Sequence, residues 1–407
     1  MAINLELPRK LNTTVDQAHQ AAAQIFRPIS RKYDLREHDY PVELDTLASL
    51  YDGLSEAGAA GAGADGGRSQ KKEKKDLPAG AVVNGGNMQS VLNALETCWG
   101  DAGMMLTIPY QGLGNAAIAA VATDEQLVEF GKVWAAMAIT EPSFGSDSAA
   151  VSTTATRDGD DYLINGEKIF VTAGSRASHI VVWATVDKSL GRAAIKSFVV
   201  PRESEGLTVV RLEHKLGIRV SDTAVLRFDN VRVPAGNLLG SPEVDVKKGF
   251  GGVMQTFDNT RPLVAAMAVG VTRAALEELR KLLEDAGVEI DYDKPVNNQH
   301  AAAAEFIRME ADYEAAYLHS LRAAWMADNK EPNSKEASMS KAKAGRTVTD
   351  VTTKTVELAG TLGYSERLLL EKWARDSKIL DIFEGTQQIQ NLIIARRVLG
   401  KSSAELK

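Results

Sequence analysis

Apolar residues recur at helical spacing through "VDQAHQAAAQIFRPI" and again from Leu44 to Leu54, so the chain opens with amphipathic helices. The stretch "AGAAGAGADGGRSQKKEKKDLPAGAVVNGG" then breaks the period. Its glycines, small residues and charge run read as a loop or linker over about residues 55–90. The "KKEKK" inside it reads as a solvated face rather than a dock for an acidic partner. Helical signal resumes from about Met88 to Trp134. Within it, "GLGNAA" (Gly112 to Ala117) superficially matches a dinucleotide-binding glycine pattern, which needs a preceding strand and a βαβ unit. The flanks look helical, so close helix packing through small residues is the better reading.

The period changes between about Ile139 and Leu239. "DYLINGEKIFVTAG" reads as a hairpin, with Asn165-Gly166 as the turn between β-prone runs. "HIVVWATV", "IKSFVVP", "LTVVRL" and "TAVLRFDNVRVP" read as further strands with no helix between them. From about Val246 the helical period returns, marked by Phe250, Val253, Met254 and Phe257 and continuing through Val264, Met267, Val271 and Leu276. Further helices are expected over about 301–326, 335–359 and 385–399. The expected class is therefore α+β and mostly helical. An N-terminal helical domain (1–134) precedes a central antiparallel β-barrel or sandwich (135–242) and a C-terminal four-helix bundle (243–407).

Composition narrows this picture. At 407 residues the chain exceeds one core, and 44% hydrophobic with 25% charged residues is ordinary for a globular protein. A formal net charge of -7 argues against a general binder of nucleic acid or anionic membrane. The single Cys98 excludes an intramolecular disulfide and fits a reducing, cytoplasmic setting. The six histidines are scattered singly, so no metal site is expected. No signal pattern and no membrane-length apolar run is present.

Three segments carry candidate chemistry. In "DIFEGTQQIQNLIIARR" (Asp381 to Arg397), Glu384 follows a nearly apolar run, where desolvation raises a carboxyl pKa toward that of a useful base. Gly385 permits close backbone approach, and Thr386 is a natural helix N-cap. A solvated turn glutamate beside an ordinary cap is the plainer alternative. "MAITEPSFGSDSAAVSTTA" (Met137 to Ala155) gathers Thr140, Ser143, Ser146 and Ser148 into a Gly- and Pro-containing loop. Such a loop offers hydroxyls and N–H groups to a polar planar ligand or phosphate, although it is equally readable as a satisfied turn. In "FDNTRPLVAA" (Phe257 to Ala266), Asp258 and Arg261 share a helix face and either pair with each other or reach a ligand.

Taken in order, these segments resemble the acyl-CoA dehydrogenase family. "TEPSFGSD" is similar to its flavin-loop signature, "LINGEKIFVTAG" to the strand that follows, and "KLGIRVSDTAVLRFDNVRVP" to the end of its β domain. "FDNTRPLVAAMAVG" resembles its CoA-contacting helix and "RDSKILDIFEGTQQIQNLIIARR" its catalytic segment. "CWGDAGMMLTIPYQGLGNAAIA" resembles the helix that closes its N-terminal domain, so the likeness spans roughly residues 90–400.

The resemblance implies an FAD-dependent α,β-dehydrogenation of an acyl-CoA thioester to a trans-2-enoyl-CoA, within fatty-acid β-oxidation. Glu384 is then the α-proton base, with hydride passing to flavin N5 and the Glu384 backbone N–H on the thioester oxygen. Met137, Ile139, Thr140, Ser146, Phe170, Val171, Thr172, Thr386 and Gln388 are implied to hold FAD. Ser146, Asp258, Arg261 and Gly385 are implied to line the CoA path. Electron-transferring flavoprotein is the implied acceptor and a tetramer the implied assembly. An oxidase that uses O2, a flavin monooxygenase and a non-catalytic subunit are the alternatives. Acyl chain length is not legible.

Departures from the family pattern cluster on one feature. Met137 stands where an aromatic residue is usual, and Phe170 where tryptophan is. More consequentially, the family's Arg-x-x-Phe-Gly, which reaches the FAD pyrophosphate of a neighbouring subunit, aligns with "DAGVEIDYDKPVNNQ". Val288 and Asp291 take its Arg and Phe places, amid Glu289 and Asp293. The family's Gln-x-x-Gly-Gly-x-Gly aligns with "ELAGTLGY", placing Glu357 and Thr361 at key positions. Both losses fall on the half-site that serves a neighbour. An α2β2 assembly with a related subunit is therefore expected, against a homotetramer compensating through Asn298 and Gln299.

Overall fold

The computed structural model describes residues 7, 9–45, 85–109, 113–244, 251–402 and 405, with side chains of 251–259 outside the description. The expected helix after Leu44, the glycine- and lysine-rich loop up to residue 84, and Gly112 lie outside the described residues.

Helix α1 (Arg9–Ala21) runs through one π-helical turn (Ala22–Phe26) into α2 (Arg27–Leu35). After the undescribed stretch come α3 (Gly86–Gly100), α4 (Ala102–Met105), α5 (Leu113–Val121) and α6 (Asp124–Phe130). The first turn of α3 is capped from a distance. Both Asp328 carboxylate oxygens accept from the backbone N–H groups of Gly85, Asn87 and Met88 at 2.9–3.0 Å. A carboxylate suits the orphan donors and positive dipole end there. Asn115 on α5 bonds Val133 and Ala135, and a Cβ on Gly114 would lie 2.4 Å from the Ala135 carbonyl. The described small residues of "GLGNAA" therefore bring their helix close to strand β1 as well as to neighbouring helices.

Seven strands follow: β1 (Ala135–Ala138), β2 (Thr154–Asp158), β3 (Asp161–Thr172), β4 (His179–Thr185), β5 (Ile195–Pro201), β6 (Leu207–Leu212) and β7 (Thr223–Pro234). They form one curled sheet in the order β1-β4-β2-β3-β7-β6, with β5 on β4. The sheet is mixed rather than antiparallel, because β4 pairs in parallel with both β1 and β2. The expected antiparallel barrel or sandwich is corrected to that extent. The hairpin turn also moves. Asn165-Gly166 lies inside β3 at a register shift against β7, and the turn between β2 and β3 is Gly159-Asp160. Asn-Gly suits a bulge as well as a turn, and only pairing on both edges of β3 decides between them.

The C-terminal helices are α7 (Gly251–Asp285), α8 (Ala301–Asp328), α9 (Ser334–Leu358), α10 (Leu370–Leu380) and α11 (Gln387–Leu399). Their core is shared with the N-terminal part. Val91, Leu95 and Cys98 of α3 pack with Val264–Val271 of α7, Ala344 and Val348 of α9, and Trp373 of α10. A buried ion cluster joins all three parts. The Lys372 ammonium on α10 meets Asp101 at 2.8 Å and Asp376 at 2.5 Å, while Asp376 accepts from the Ile218 N–H. Burial alone depresses the Lys372 pKa, but the two carboxylates outweigh it and raise it above the ordinary lysine value. Among the described residues no helix is long and apolar enough to cross a membrane.

Candidate active site

Glu384 sits in the turn between α10 and α11. Thr386 caps α11, its hydroxyl accepting from the Ile389 N–H at 3.4 Å. Glu384 and Gly385 both adopt left-handed backbone, with φ of 57° and 94°. Glycine does so freely, whereas a glutamate pays about 1–2 kcal/mol. The turn persists because its carbonyls are held. The Gln390 amide donates to the Glu384 and Gly385 carbonyls at 3.1 Å each, and the Lys341 ammonium donates to the Gly385 carbonyl at 2.8 Å. Lys341 and Gln390 are both fully buried. A Cβ on Gly385 would come within 2.5 Å of the Gln390 amide nitrogen.

The Glu384 carboxyl accepts from the Thr260 hydroxyl of α7 at 2.8 Å. Loss of water around it pushes its pKa up, and the Thr260 hydrogen bond with the Arg261 and Lys341 charges only partly opposes this. Lys341 is displaced too. Burial brings its pKa down to about 8, although Asp381 and Glu384 pull the other way.

A second group forms around the loop after β1. Glu141 there is buried, and accepts from the Lys168 ammonium at 2.8 Å, the Ser152 and Thr153 N–H groups at 2.8 and 2.9 Å, and both their hydroxyls. Lys168 also donates to the Ile139 carbonyl at 3.1 Å, and the Ile169 N–H donates to the Thr140 carbonyl at 2.9 Å. These bonds fix Ile139 and Thr140 against β3. Phe170 follows on β3 with φ 56° and 60% of its surface exposed. Val171 turns inward to the sheet core, so only its backbone can face a ligand, while Phe170 and Thr172 face outward. Met137 and Ile139 lie half-buried against the cluster of Ile118, Trp183 and Leu239. Ser146 is exposed near the loop tip.

The sequence-derived residues therefore gather as two groups. Glu384, Gly385, Thr386 and Arg261 belong to the first, with Gln388 exposed on the first turn of α11. The Asp258 side chain lies outside the described residues. Met137, Ile139, Thr140, Ser146, Phe170 and Thr172 belong to the second. Between the groups runs the 217–222 segment, which bonds α10 through Ile218 and Asp376 and holds Ala173 through the Asp222 carbonyl.

Sequence reasoning missed Thr260, Lys341, Gln390, Glu141 and Lys168. A signal existed for both lysines. Lys341 shares a helix face with the buried Ala337, Ala344 and Val348, and Lys168 alternates with Tyr162 and Ile164 on the inward face of β3. A lysine on a core-facing stripe needs a buried partner.

The neighbour-serving positions are turned to local use. Val288 and Ile290 pack against Leu276, Leu279, Leu283 and Phe306. Gln299 accepts from the Asp291 N–H at 3.0 Å and donates to the Lys294 carbonyl at 3.1 Å, closing its own loop. Glu357 pairs with Lys354 on α9.

Two family models match this chain, the acyl-CoA dehydrogenase middle domain over residues 136–231 and its C-terminal domain over 247–399. The "Caffeyl-CoA reductase-Etf complex subunit CarC" of Acetobacterium woodii is 33% identical over 80% of this chain and 86% of its own length. The mitochondrial short-chain specific acyl-CoA dehydrogenase of Bos taurus is 38% identical over 64% of this chain. The match spans 62% of that relative's length. The structure of butyryl-CoA dehydrogenase from Megasphaera elsdenii superimposes with a TM-score of 0.80 at 28% identity, covering 98% of this chain and all of the other.

Proposed function

Because this chain belongs to the acyl-CoA dehydrogenase family, we propose that it removes two hydrogens from the α and β carbons of an acyl-CoA thioester, with FAD as cofactor. The observation that carries the reading is Glu384, a desolvated carboxyl fixed on a left-handed turn with a single hydroxyl donor.

The residues fit the cofactor. Thr140, Ser146 and Thr172 present hydroxyls that no other described residue engages, beside an outward aromatic ring at Phe170. That donor set suits a polar, planar ring system. Met137, Ile139 and the Val171 backbone complete this wall, and Thr386 and Gln388 are assigned to the far end of the cofactor. Bound FAD supplies the acceptor for the hydride leaving the β-carbon. The protein does the rest. Glu384 takes the α-proton, which is favourable for a carboxylate whose pKa burial has raised. The Glu384 N–H, which donates to no described residue, is assigned to the thioester oxygen, where it stabilises enolate charge. Arg261, Asp258, Ser146 and Gly385 are assigned to the CoA path. Electron-transferring flavoprotein is proposed as the acceptor, in line with the name of the Acetobacterium relative.

The test is turnover of butyryl-CoA by the FAD-loaded chain with an artificial electron acceptor, compared with air as the only oxidant. Acceptor-dependent turnover that disappears in Glu384→Gln is expected. Turnover by Glu384→Gln within about tenfold of wild type would remove Glu384 as the base. Equal rates under air alone would replace the dehydrogenase by an oxidase.

We also propose that the working assembly is an α2β2 tetramer with a related subunit. Val288 is committed to the core and Gln299 to its own loop, which leaves neither for a neighbour's pyrophosphate. The chain purified alone is expected to hold well under one FAD each. A stoichiometric flavoprotein would restore the homotetramer.

A further inference from the structure

We infer that Lys341 is a positioning residue for Glu384. Its ammonium shares the Gly385 carbonyl with the Gln390 amide and places a positive charge beside the base. The inference rests on the proton-abstraction reading of Glu384, but it concerns a residue on a different element, α9.

Three observations carry it. Lys341 is completely buried, yet among the described residues its one hydrogen bond is to a backbone carbonyl rather than to a carboxylate at contact distance. The other buried lysines contrast with it, since Lys168 and Lys372 each touch one or two carboxylates directly. A buried ammonium without a contacting counter-ion is costly, so a purely structural role would be served better by an apolar side chain. Finally, the grip on the Gly385 carbonyl is double. Gln390 holds it too, together with the Glu384 carbonyl, from α11, so the peptide carrying Glu384 is fixed even without Lys341. What Gln390 cannot supply is charge.

Among the described residues, Arg261 on α7 and Lys341 on α9 are the charged groups that act on the carboxyl, while Asp381 at the end of α10, paired with Arg346 and Lys378, acts on Lys341. Arg261 and Lys341 favour the ionised carboxylate against desolvation, and both Asp381 and Glu384 favour the charged lysine. Removing the lysine charge therefore raises the Glu384 midpoint, and the base is lost first on the acid side. Above about pH 8 wild-type Lys341 itself loses its charge, so wild type and variant converge there.

The experiment compares Lys341→Met, Lys341→Gln and Lys341→Arg in FAD-loaded protein. Gln keeps a donor without charge, and Arg keeps the charge. Two readouts are taken, the pH profile of kcat on butyryl-CoA and a carbon-13 carboxyl titration of Glu384, assigned by its loss in Glu384→Gln. Expected for Met and Gln is a Glu384 midpoint at higher pH than in wild type, with kcat down about tenfold on the acid limb of the profile and less than about twofold above about pH 8. Arg should restore the wild-type profile, with KM and FAD content unchanged throughout. A pH-independent loss in Met and Gln, or an unmoved Glu384 midpoint, would overturn the inference. The carboxyl titration decides it even if butyryl-CoA is not turned over, and that failure would count against the proposed reaction alone. If Lys341→Met does not fold, the Gln and Arg pair still separates donor from charge.

Discussion

Two glutamates in this molecule have been pushed in opposite directions. Glu141 lies on the loop after β1 and Glu384 on the turn before α11. Both lose water, which by itself raises a carboxyl pKa. At Glu141 the Lys168 charge and the hydrogen bonds from Lys168, Ser152 and Thr153 outweigh burial and bring the pKa down to about 2. At Glu384 one hydroxyl and two nearby cations do not outweigh it, and the pKa stays raised. The difference is in the number of donors in contact among the described residues, five against one. A saturated carboxylate is a fastener that no longer accepts protons. An undersupplied one is free to take a proton from something else.

The largest effects separate these roles. Glu384→Gln keeps the turn and the Thr260 contact but cannot accept a proton, so kcat should fall by about 10³-fold with FAD retained. Flavin absorbance on the same sample checks the second half of that statement. Glu141→Gln does the reverse. It strands the buried Lys168 charge, and should cost about 3–5 kcal/mol of stability, read by denaturant unfolding, together with FAD affinity. Turnover per bound flavin should change little. If Glu141→Gln abolished turnover at full flavin occupancy, the division between fastener and base would be wrong.

Acidity sharpens the contrast further. Glu141 has its pKa depressed in the folded state. Its contribution is present above the unfolded glutamate value near 4.3 and lost as pH falls toward about 2. Glu384 has its pKa raised, so its contribution is complete below the unfolded value and lost as pH rises through the folded one. Thermal midpoints between pH 3 and 8 should show Glu141→Gln losing most relative to wild type at neutral pH and least near pH 3. Glu384→Gln should gain slightly at neutral pH, a stability gained at the expense of activity.

What the sequence alone reveals follows the same division. Glu384 stood out because "ILDIF" and Gly-Thr flank it, features local in sequence. Glu141 did not, since its donors come from residues 152, 153 and 168, and nothing in "TEPSF" announces them. Lys341 looks like a solvated lysine in "SMSKAKAGR", next to the more open Lys343 and Arg346, and only its register with Ala337, Ala344 and Val348 betrays burial. Helices and strands were readable from periodicity. The parallel pairing of β4 and the bulge at Asn165-Gly166 were not, because both depend on which strands become neighbours.

The smallest effect tests the single donor. Thr260→Val removes the one hydroxyl on Glu384 and should lower kcat about fivefold at neutral pH, through a still higher base midpoint. A KM change without a kcat change would instead place Thr260 in substrate binding.

The two carboxyls are tuned apart, and the decisive measurement is a carbon-13 carboxyl titration of both in one FAD-loaded sample, with Glu384→Gln and Glu141→Gln supplying the assignments. Glu384 is expected to titrate above the ordinary glutamate range and Glu141 below it. Coincident midpoints in that range, or the reverse order, would contradict it.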